Sequence, residues 1–519
     1  MPRYAAVDIG SNSVRMIAAE VTNGKTQILA EDRQVTRLGE SVFRTGRISK
    51  DALDFLCLNL ARMASAYNRL EVLGVRAVAT SAVRDANNRQ EFLQRTSVAL
   101  ATNVEIISGS EEARLIHLGV ESRWPRPKER SLIIDVGGGS GELIVSEGGK
   151  IIDAVSKPLG AVRLTEVFLK TDPPRPAELH RLHAYIEEKL ASFYKQHGAQ
   201  RFDRTVATSA TAAALVSAVN RISRAKRDQA DRLRAPRNQI RELYSRLIAR
   251  DVGGRRKIAG IGPRRAEIIT AGAAVFLRVL ELFQQPSLYY CSAGVRDGII
   301  ADLAARGVGR ELSQLSREQI AIVEGMAKRY GVALKHARHV GCLGHRLFEI
   351  LRPFHQLPPA AGKLLEASAY LHDIGHFVSD LGHHKHSAYL VANSGMPGFT
   401  NKERLVIAAL CRFHRKSLPH PRHPQFQALD ADSKRLVINL APLLRIADAL
   451  DRGHEQKVRD VTIAAKNGSV SLLVHAERDA DLEIWTANEA VKTFGEIYTM
   501  PIALRRARPQ KLTTPGRSK

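Results

Sequence analysis

The sequence predicts an α/β protein in which two duplicated lobes are followed by an all-α region and a small C-terminal α+β segment. Three observations carry that prediction. Residues 4–17, YAAVDIGSNSVRMI, can be laid over residues 131–144, SLIIDVGGGSGELI. Both read as apolar strand, Asp, apolar residue, Gly, small polar turn and second apolar strand, and a repeat of this kind marks duplicated architecture. From about residue 310 the pattern changes to continuous helical periodicity rich in histidine. After Asp451 alternation returns in VTIAAKNGSVSLLVHA, where Asn467-Gly468 is a hairpin signal.

The elements follow in order. KTQILAEDRQVTRL (25–38) continues the first sheet, and GVRAVATSAVRDA (74–86) and NVEIISGSEEARLIHLGV (103–120) each read as strand, loop, helix. In the second lobe KIIDAVSKPLG reads as a strand, TVATSATAAALVSAVN as strand, loop, helix, and SLYYCSAGVRDGIIADLAAR (287–306) as a strand and then a helix. Residues 220–265 are dense in arginine, as two solvated helices or as part of an anion channel. A boundary is expected near Gly307–Arg310. The predicted limits are 1–124 and 125–307 for the lobes, 311–451 for the helical domain, 452–506 for the small β-rich domain and 507–519 for a basic tail.

Composition narrows the function classes. The chain has 519 residues, 44% hydrophobic and 25% charged, as in an ordinary globular protein. Lys and Arg number 78 against 53 Asp and Glu, a net charge of +25 that points to a polyanionic partner. Aromatic residues make up only 5%, so base-stacking platforms are scarce and a nucleic-acid partner is not expected. Four scattered cysteines without a C-x-x-C pair fit a reducing compartment. No signal-peptide core precedes the first strand and no apolar run reaches the ~20 residues of a membrane span, so a cytoplasmic protein without a membrane partner is expected.

The glycine turn of SLIIDVGGGSGELIV leads into a second strand, and no G-K-[ST] follows it. It is therefore neither a Walker loop nor the strand-to-helix dinucleotide fingerprint. Glycines in such a turn let backbone N–H groups approach phosphate oxygens closely. Two facing hairpins of this design can hold two ends of one phosphate group.

The pair DIGSNSVRM and DVGGGSGEL, with GSEEARLIHLGV, SAGVRDG and PLGAVRLTE, resembles the exopolyphosphatase/guanosine pentaphosphate phosphohydrolase family, a branch of the actin-like (ribonuclease H-like) fold shared with sugar kinases and heat-shock chaperones. The resemblance covers roughly residues 1–305. It implies metal-dependent hydrolysis of the terminal phosphate of inorganic polyphosphate, or of the 5′ γ-phosphate of pppGpp, with Mg2+ or Mn2+. Polyphosphate is the preferred substrate, because a polymer gives the positive charge a use. A non-catalytic sensor of polyphosphate or of alarmones (pppGpp, ppGpp) is the alternative from another class. A homodimer is expected.

The resemblance also assigns residues. Glu112 matches the catalytic glutamate that activates water, with Glu111 beside it as the competitor. Neighbouring helical residues point about 100° apart, so one of the two faces the cleft. Asp135 and Glu142 are candidate catalytic and metal carboxylates, and Asp8 shares the metal role. Ser11, Asn12, Ser13, Arg84, Gly137, Gly138, Gly139 and Ser140 are the phosphate-binding candidates. Two departures stand out: Gly141 where the family has threonine, and Ala207-Thr208-Ser209-Ala210-Thr211 where it has a glycine-rich loop.

Downstream, LHDIGHFVSDLGHHKHS contains His372, His376, His383, His384 and His386. With His336 and Asp448, the His372-Asp373 pair resembles an HD-type metal phosphohydrolase. That implies a candidate metal site at His336, His372, Asp373 and Asp448, with His414 and Lys416 near phosphate. A helical domain that extends a basic channel and supports a dimer is the alternative.

Overall fold

The structure, a computed structural model, describes residues 1–22, 24–306, 313–466, 469–499 and 502–507. The chain separates into two compact units, Met1–Ala305 and Arg306–Lys519. The expected boundary at Gly307–Arg310, the Asn467-Gly468 turn and nearly all of the basic tail lie outside the described residues.

The first unit contains the duplication. Strands β1 (Arg3–Ile9), β2 (Ser13–Thr22), β3 (Lys25–Val35), β4 (Gly74–Ala79) and β5 (Val104–Ile106) form one sheet in the order β3-β2-β1-β4-β5. The second sheet is built from β6 (Arg130–Val136), β7 (Gly141–Glu147), β8 (Lys150–Lys157), β9 (Arg204–Thr208), β10 (Arg234–Pro236) and β11 (Ser287–Tyr290), in the order β10-β11-β9-β6-β7-β8. Both sheets start with an antiparallel meander and add parallel strands on the far side of its first strand. The second differs by the extra edge strand β10.

The apolar residues on both faces of β1 and β6 explain why these strands are central: Ala5, Ala6 and Val7, like Leu132, Ile133 and Ile134, are almost wholly buried. The helix Val295–Ala305 follows β11 in sequence yet packs on β1 and β2. It also packs along the Gly109–Arg123 helix, so the last helix of this unit returns to the first sheet.

In the second unit the main helices are Arg317–Arg329, Leu334–Ile350, Ala360–Leu371, His383–Asn393, Asn401–Phe413 and Ala431–Ala449. They are followed by β12 (Val458–Lys466), β13 (Ser469–Ala476), the helix Asp481–Tyr498 and β14 (Ile502–Arg506), the strands lying in the order β12-β13-β14. One hydrophobic core runs from Val340 and Leu365 through Leu444 to Leu472 and Phe494, so the segments read as 311–451 and 452–506 share a core.

Candidate functional site

The site in the first unit is built where the two meanders turn. In β1–β2 the register sets Asp8 opposite Arg15, and in β6–β7 it sets Asp135 opposite Glu142. Each turn is closed the same way: Gly10 N–H donates to Ser13 O at 3.1 Å, and Gly137 N–H donates to Ser140 O at 3.0 Å. The two turns touch. A methyl group on Gly138 would lie 2.9 Å from Ser11 Cβ, and one on Gly139 would lie 2.7 Å from Ser11 Oγ and 2.6 Å from Ser81 Oγ. Glycine suits both positions because the side chains of Ser11, Ser81 and Phe43 already occupy the space of a Cβ. The facing hairpins inferred from the repeat are thus in contact, bringing Ser11, Asn12 and Ser13 beside Gly137, Gly138, Gly139 and Ser140.

The Gly109–Arg123 helix supplies the third part. Ser108 caps it by accepting from Glu111 N–H, and the next residues diverge. Glu111 turns away into a buried ion network with Arg76 (3.0 Å) and Arg114 (2.8 Å), which also bind Asp302 on the returning Val295–Ala305 helix. Burial opposes the Glu111 charge, but Arg114 and Arg76 outweigh it and hold the carboxyl below its usual range. Glu112 turns the other way and accepts from Arg84 Nη1 at 2.8 Å. Arg84 also donates to Ile107 O at 2.9 Å, which fixes its guanidinium.

The carboxylates form one electrostatic group. Burial raises Glu112 above the ordinary glutamate value, with Arg84 opposing and Asp8 adding to the rise. Burial, and then the Glu112 charge, push Asp135 up to about 7. Burial, with the Glu112 and Asp135 charges, raises Glu142 well above its ordinary value. Glu142 Oε1 accepts from Ser156 Oγ at 2.7 Å, whereas Oε2 is buried without a hydrogen-bond partner among the described residues. Burial likewise raises Asp8, against the pull of Arg15 and Arg296. Several buried acids that resist ionisation, one with an orphaned oxygen, are the donor set a hard divalent cation would satisfy.

Two residues that the sequence reading did not single out belong to this site. Arg15, paired across the ladder with Asp8, interacts electrostatically with Asp8 and Asp135. Its signal was present in the repeat, because Arg15 falls on the position of Glu142. Arg163 donates to Gly139 O at 2.7 Å and to Ser81 Oγ at 3.1 Å, lies over the Phe43 ring and pairs with Asp85. It clamps the glycine turn from behind.

The departures are also placed. A Cβ on Gly141 would stand 3.2 Å from Leu159 Cβ, so threonine needs Leu159 to give by a few tenths of an ångström. In the second-lobe loop Thr208 lies in register with Asp135, and its hydroxyl donates to Ala293 O at 2.8 Å. Ser209 carries a left-handed backbone, φ 86°, where a glycine would be unstrained. In the arginine-rich segment Arg241, Arg246 and Arg250 are exposed, while Arg255 is buried against Thr270 and pairs with Asp172.

Comparison with known proteins fits this geometry. The Ppx/GppA phosphatase family model matches residues 17–306, more than half of the chain, and the model of domain III of that family matches residues 319–485. The chain belongs to the Ppx/GppA phosphatase family. A guanosine-5′-triphosphate,3′-diphosphate pyrophosphatase of Vibrio vulnificus is 27% identical over 485 residues, 92% of each chain. The crystal structure of an Aquifex aeolicus Ppx/GppA family member is 30% identical with a TM-score of 0.52, covering 58% of this chain and 97% of the other. An exopolyphosphatase from Cytophaga hutchinsonii is 25% identical with a TM-score of 0.55, again over 58% of this chain and 97% of its own. The fold is the α/β, actin-like one of this phosphatase family. No described helix is long and apolar enough to cross a membrane.

In the second unit the structure brings His336, His372, Asp373 and Asp448 together. His372 Nε2 lies 3.2 Å from Asp448 Oδ1 and 3.6 Å from Asp373 Oδ2, and His336 Nε2 lies 3.6 Å from Asp448 Oδ1. The potential ligand atoms of His336, His372 and Asp448 all fall within 4.8 Å of one another. His336, Asp373 and the exposed His454, stacked on His336, make an overlapping group. His376 reaches Asp373 and Asp380 from a half-exposed position, and His384 is buried outside these groups.

Proposed function

We propose that this protein hydrolyses a terminal phosphoanhydride at the junction of the two hairpins, with pppGpp as substrate and ppGpp and orthophosphate as products. The observation that carries the hydrolytic reading is the separation of adjacent glutamates. Glu111 is consumed by the buried arginine network, which leaves Glu112 facing the carboxylates and glycine turns. Its carboxylate accepts the proton of an attacking water, and Arg84 holds it in one orientation. Backbone N–H groups of the two turns, with Ser11, Asn12, Ser13 and Ser140, receive the phosphate oxygens. Arg15 adds the positive charge opposite Asp135 and Glu142.

Mg2+ or Mn2+ would be held by Asp135 and Glu142, with Asp8 nearby, and would offset the charge of the phosphate oxygens. The orphaned Glu142 Oε2 supports this. No covalent enzyme intermediate is required, so catalysis rests on positioning and charge neutralisation.

The choice of pppGpp rests on the relative named for that nucleotide, which matches across both units, whereas the exopolyphosphatase matches 58% of this chain. Polyphosphate, preferred from charge alone, is the second reading, and the +25 charge favours it. Within the second unit we propose an HD-like metal site at His336, His372, Asp373 and Asp448.

Phosphate release from pppGpp and from long-chain polyphosphate, with Mg2+, tests the reading. Glu112→Gln should lower kcat on the order of 10²–10⁴-fold while leaving the fold intact. Release from neither substrate by the unaltered protein would end the proposal, and full activity in Glu112→Gln would end the assignment of the base.

A further inference from the structure

Two histidines outside the four-residue set have a geometry that the phosphatase site does not use. His383, at the start of its helix, and His414, just after Phe413, are both buried and aim their Nε2 atoms at each other across 3.3 Å. Both point at one carboxylate oxygen: Asp373 Oδ1 lies 3.4 Å from His383 Nε2 and 3.8 Å from His414 Nε2. The other oxygen, Oδ2, faces His372.

The ring tautomers make this arrangement informative. His414 Nδ1 lies 2.8 Å from Cys411 O, and His383 Nδ1 lies 3.3 Å from Asp380 O. Carbonyl oxygens only accept, so each Nδ1 carries its ring's hydrogen and each neutral ring turns a lone pair at Nε2 toward the other. Two converging lone pairs repel unless a cation stands between them. Arg415 Nη1, 3.5 Å from His383 Nε2, sits at the outer limit of a hydrogen bond and does not fill that place. Two imidazole nitrogens on a tetrahedral ion at ~2.1 Å are about 3.4 Å apart, which the observed spacing matches.

The first group shows the same construction. His372 Nδ1 donates to Ala369 O at 2.8 Å, and His336 Nδ1 lies 2.9 Å from Asp451 Oδ2. His336 Nε2 is buried without a hydrogen-bond partner among the described residues. Metal-ligating histidines characteristically donate their second ring nitrogen to a carbonyl or carboxylate, and all four rings do so here.

We propose that the second unit holds a two-ion centre. His336, His372 and Asp448 would take one divalent transition-metal ion, His383 and His414 a second, and the two oxygens of Asp373 bridge them. Imidazole-rich sites with carboxylate oxygens suit Mn2+, Fe2+, Co2+ or Zn2+ over Mg2+. Two-ion sites of this kind, with ions ~3.5–4 Å apart, clamp phosphate esters or anhydrides, and half-buried Arg415 is the neighbouring cation that would meet such a group. The inference rests on reading His336, His372, Asp373 and Asp448 as a metal site, and adds the second ion to it.

The test counts ions in the full chain carrying Asp135→Asn and Glu142→Gln, which removes ions held in the first unit. After loading with Mn2+ and desalting, two ions per chain and an exchange-coupled Mn2+ pair signal are expected. His383→Ala or His414→Ala should reduce the count to one and abolish the coupling, while His384→Ala, at a neighbouring buried histidine, should leave both unchanged. A single ion without coupling, or a count that ignores His383 and His414, overturns the two-ion centre and leaves the four-residue site standing. No retained ion overturns both. The coupled signal is read with the second unit unaltered, so a misfolded variant does not protect the proposal.

Discussion

The first-lobe hairpin sets Asp8 against Arg15, whereas the second sets Asp135 against Glu142. The turn hydrogen bonds are alike, and at the position facing the aspartate the two lobes carry opposite charges, Arg15 and Glu142. In the first lobe opposite charges face one another and moderate the cost of burial. In the second, like charges face one another, and both acids rise well above their ordinary values. The repeat therefore supplies two hairpins of one design, and the charge facing the aspartate is reversed between them. On the proposed function, one wall would attract phosphate and the other the cation that accompanies it.

Removing the charge on the second wall tests this most severely. Glu142→Gln should lower kcat on the order of 10²–10³-fold, and raising Mg2+ should recover little of it. Activity near that of the unaltered protein, measured as phosphate release, would erase the difference between the walls.

The next effect is on stability. Asp135 has a folded value near 7 against 3.8 ordinarily, so between those pH values the folded chain binds more protons than the unfolded one. Metal-free protein should therefore lose a few kcal/mol of stability relative to Asp135→Asn as pH rises from about 4 to about 7. Added Mg2+ should flatten the loss. Parallel melting curves for the two proteins, without metal, would contradict the buried-acid account.

A smaller effect belongs to the first wall. Arg15→Gln removes a phosphate-facing charge and should cost roughly 10–100-fold in kcat/KM, mainly through KM. A loss confined to kcat would place Arg15 in the chemistry and not in phosphate binding. Smallest is the second-lobe loop, where Ser209→Gly should relieve left-handed strain and stabilise by about 1 kcal/mol. A lower Tm would show that the serine hydroxyl, which accepts from Thr211 N–H at 3.3 Å, outweighs the strain.

Much of the site was legible because it is local. Strand, Asp, glycine turn and strand form within fifteen residues, and repetition at a matched register announces a second copy. Arg84 and Glu112 were reachable through family resemblance, and the structure joins them in a direct hydrogen bond. Arg15 was passed over although the repeat aligns it with Glu142, because the charge reversal gains meaning only once each residue's strand partner is known. His383 and His414 lay in plain view among many histidines. The carbonyls that orient their rings belong to backbone geometry, and the sequence does not display those.

By itself, then, the sequence determined the two hairpins, their aspartates, the α/β character of the first unit and the helical histidine-rich stretch, since each depends on near neighbours and periodicity. Helical geometry left open which of two adjacent glutamates turns from the buried core; the family resemblance chose Glu112, and only the tertiary structure supplies the physical reason. That reason lies in Arg76, Arg114 and Asp302, the last of them 191 positions beyond Glu111. Burial makes ionic partners obligatory for a charge, and a partner so distant in the chain exists only once the Val295–Ala305 helix has returned to the first sheet.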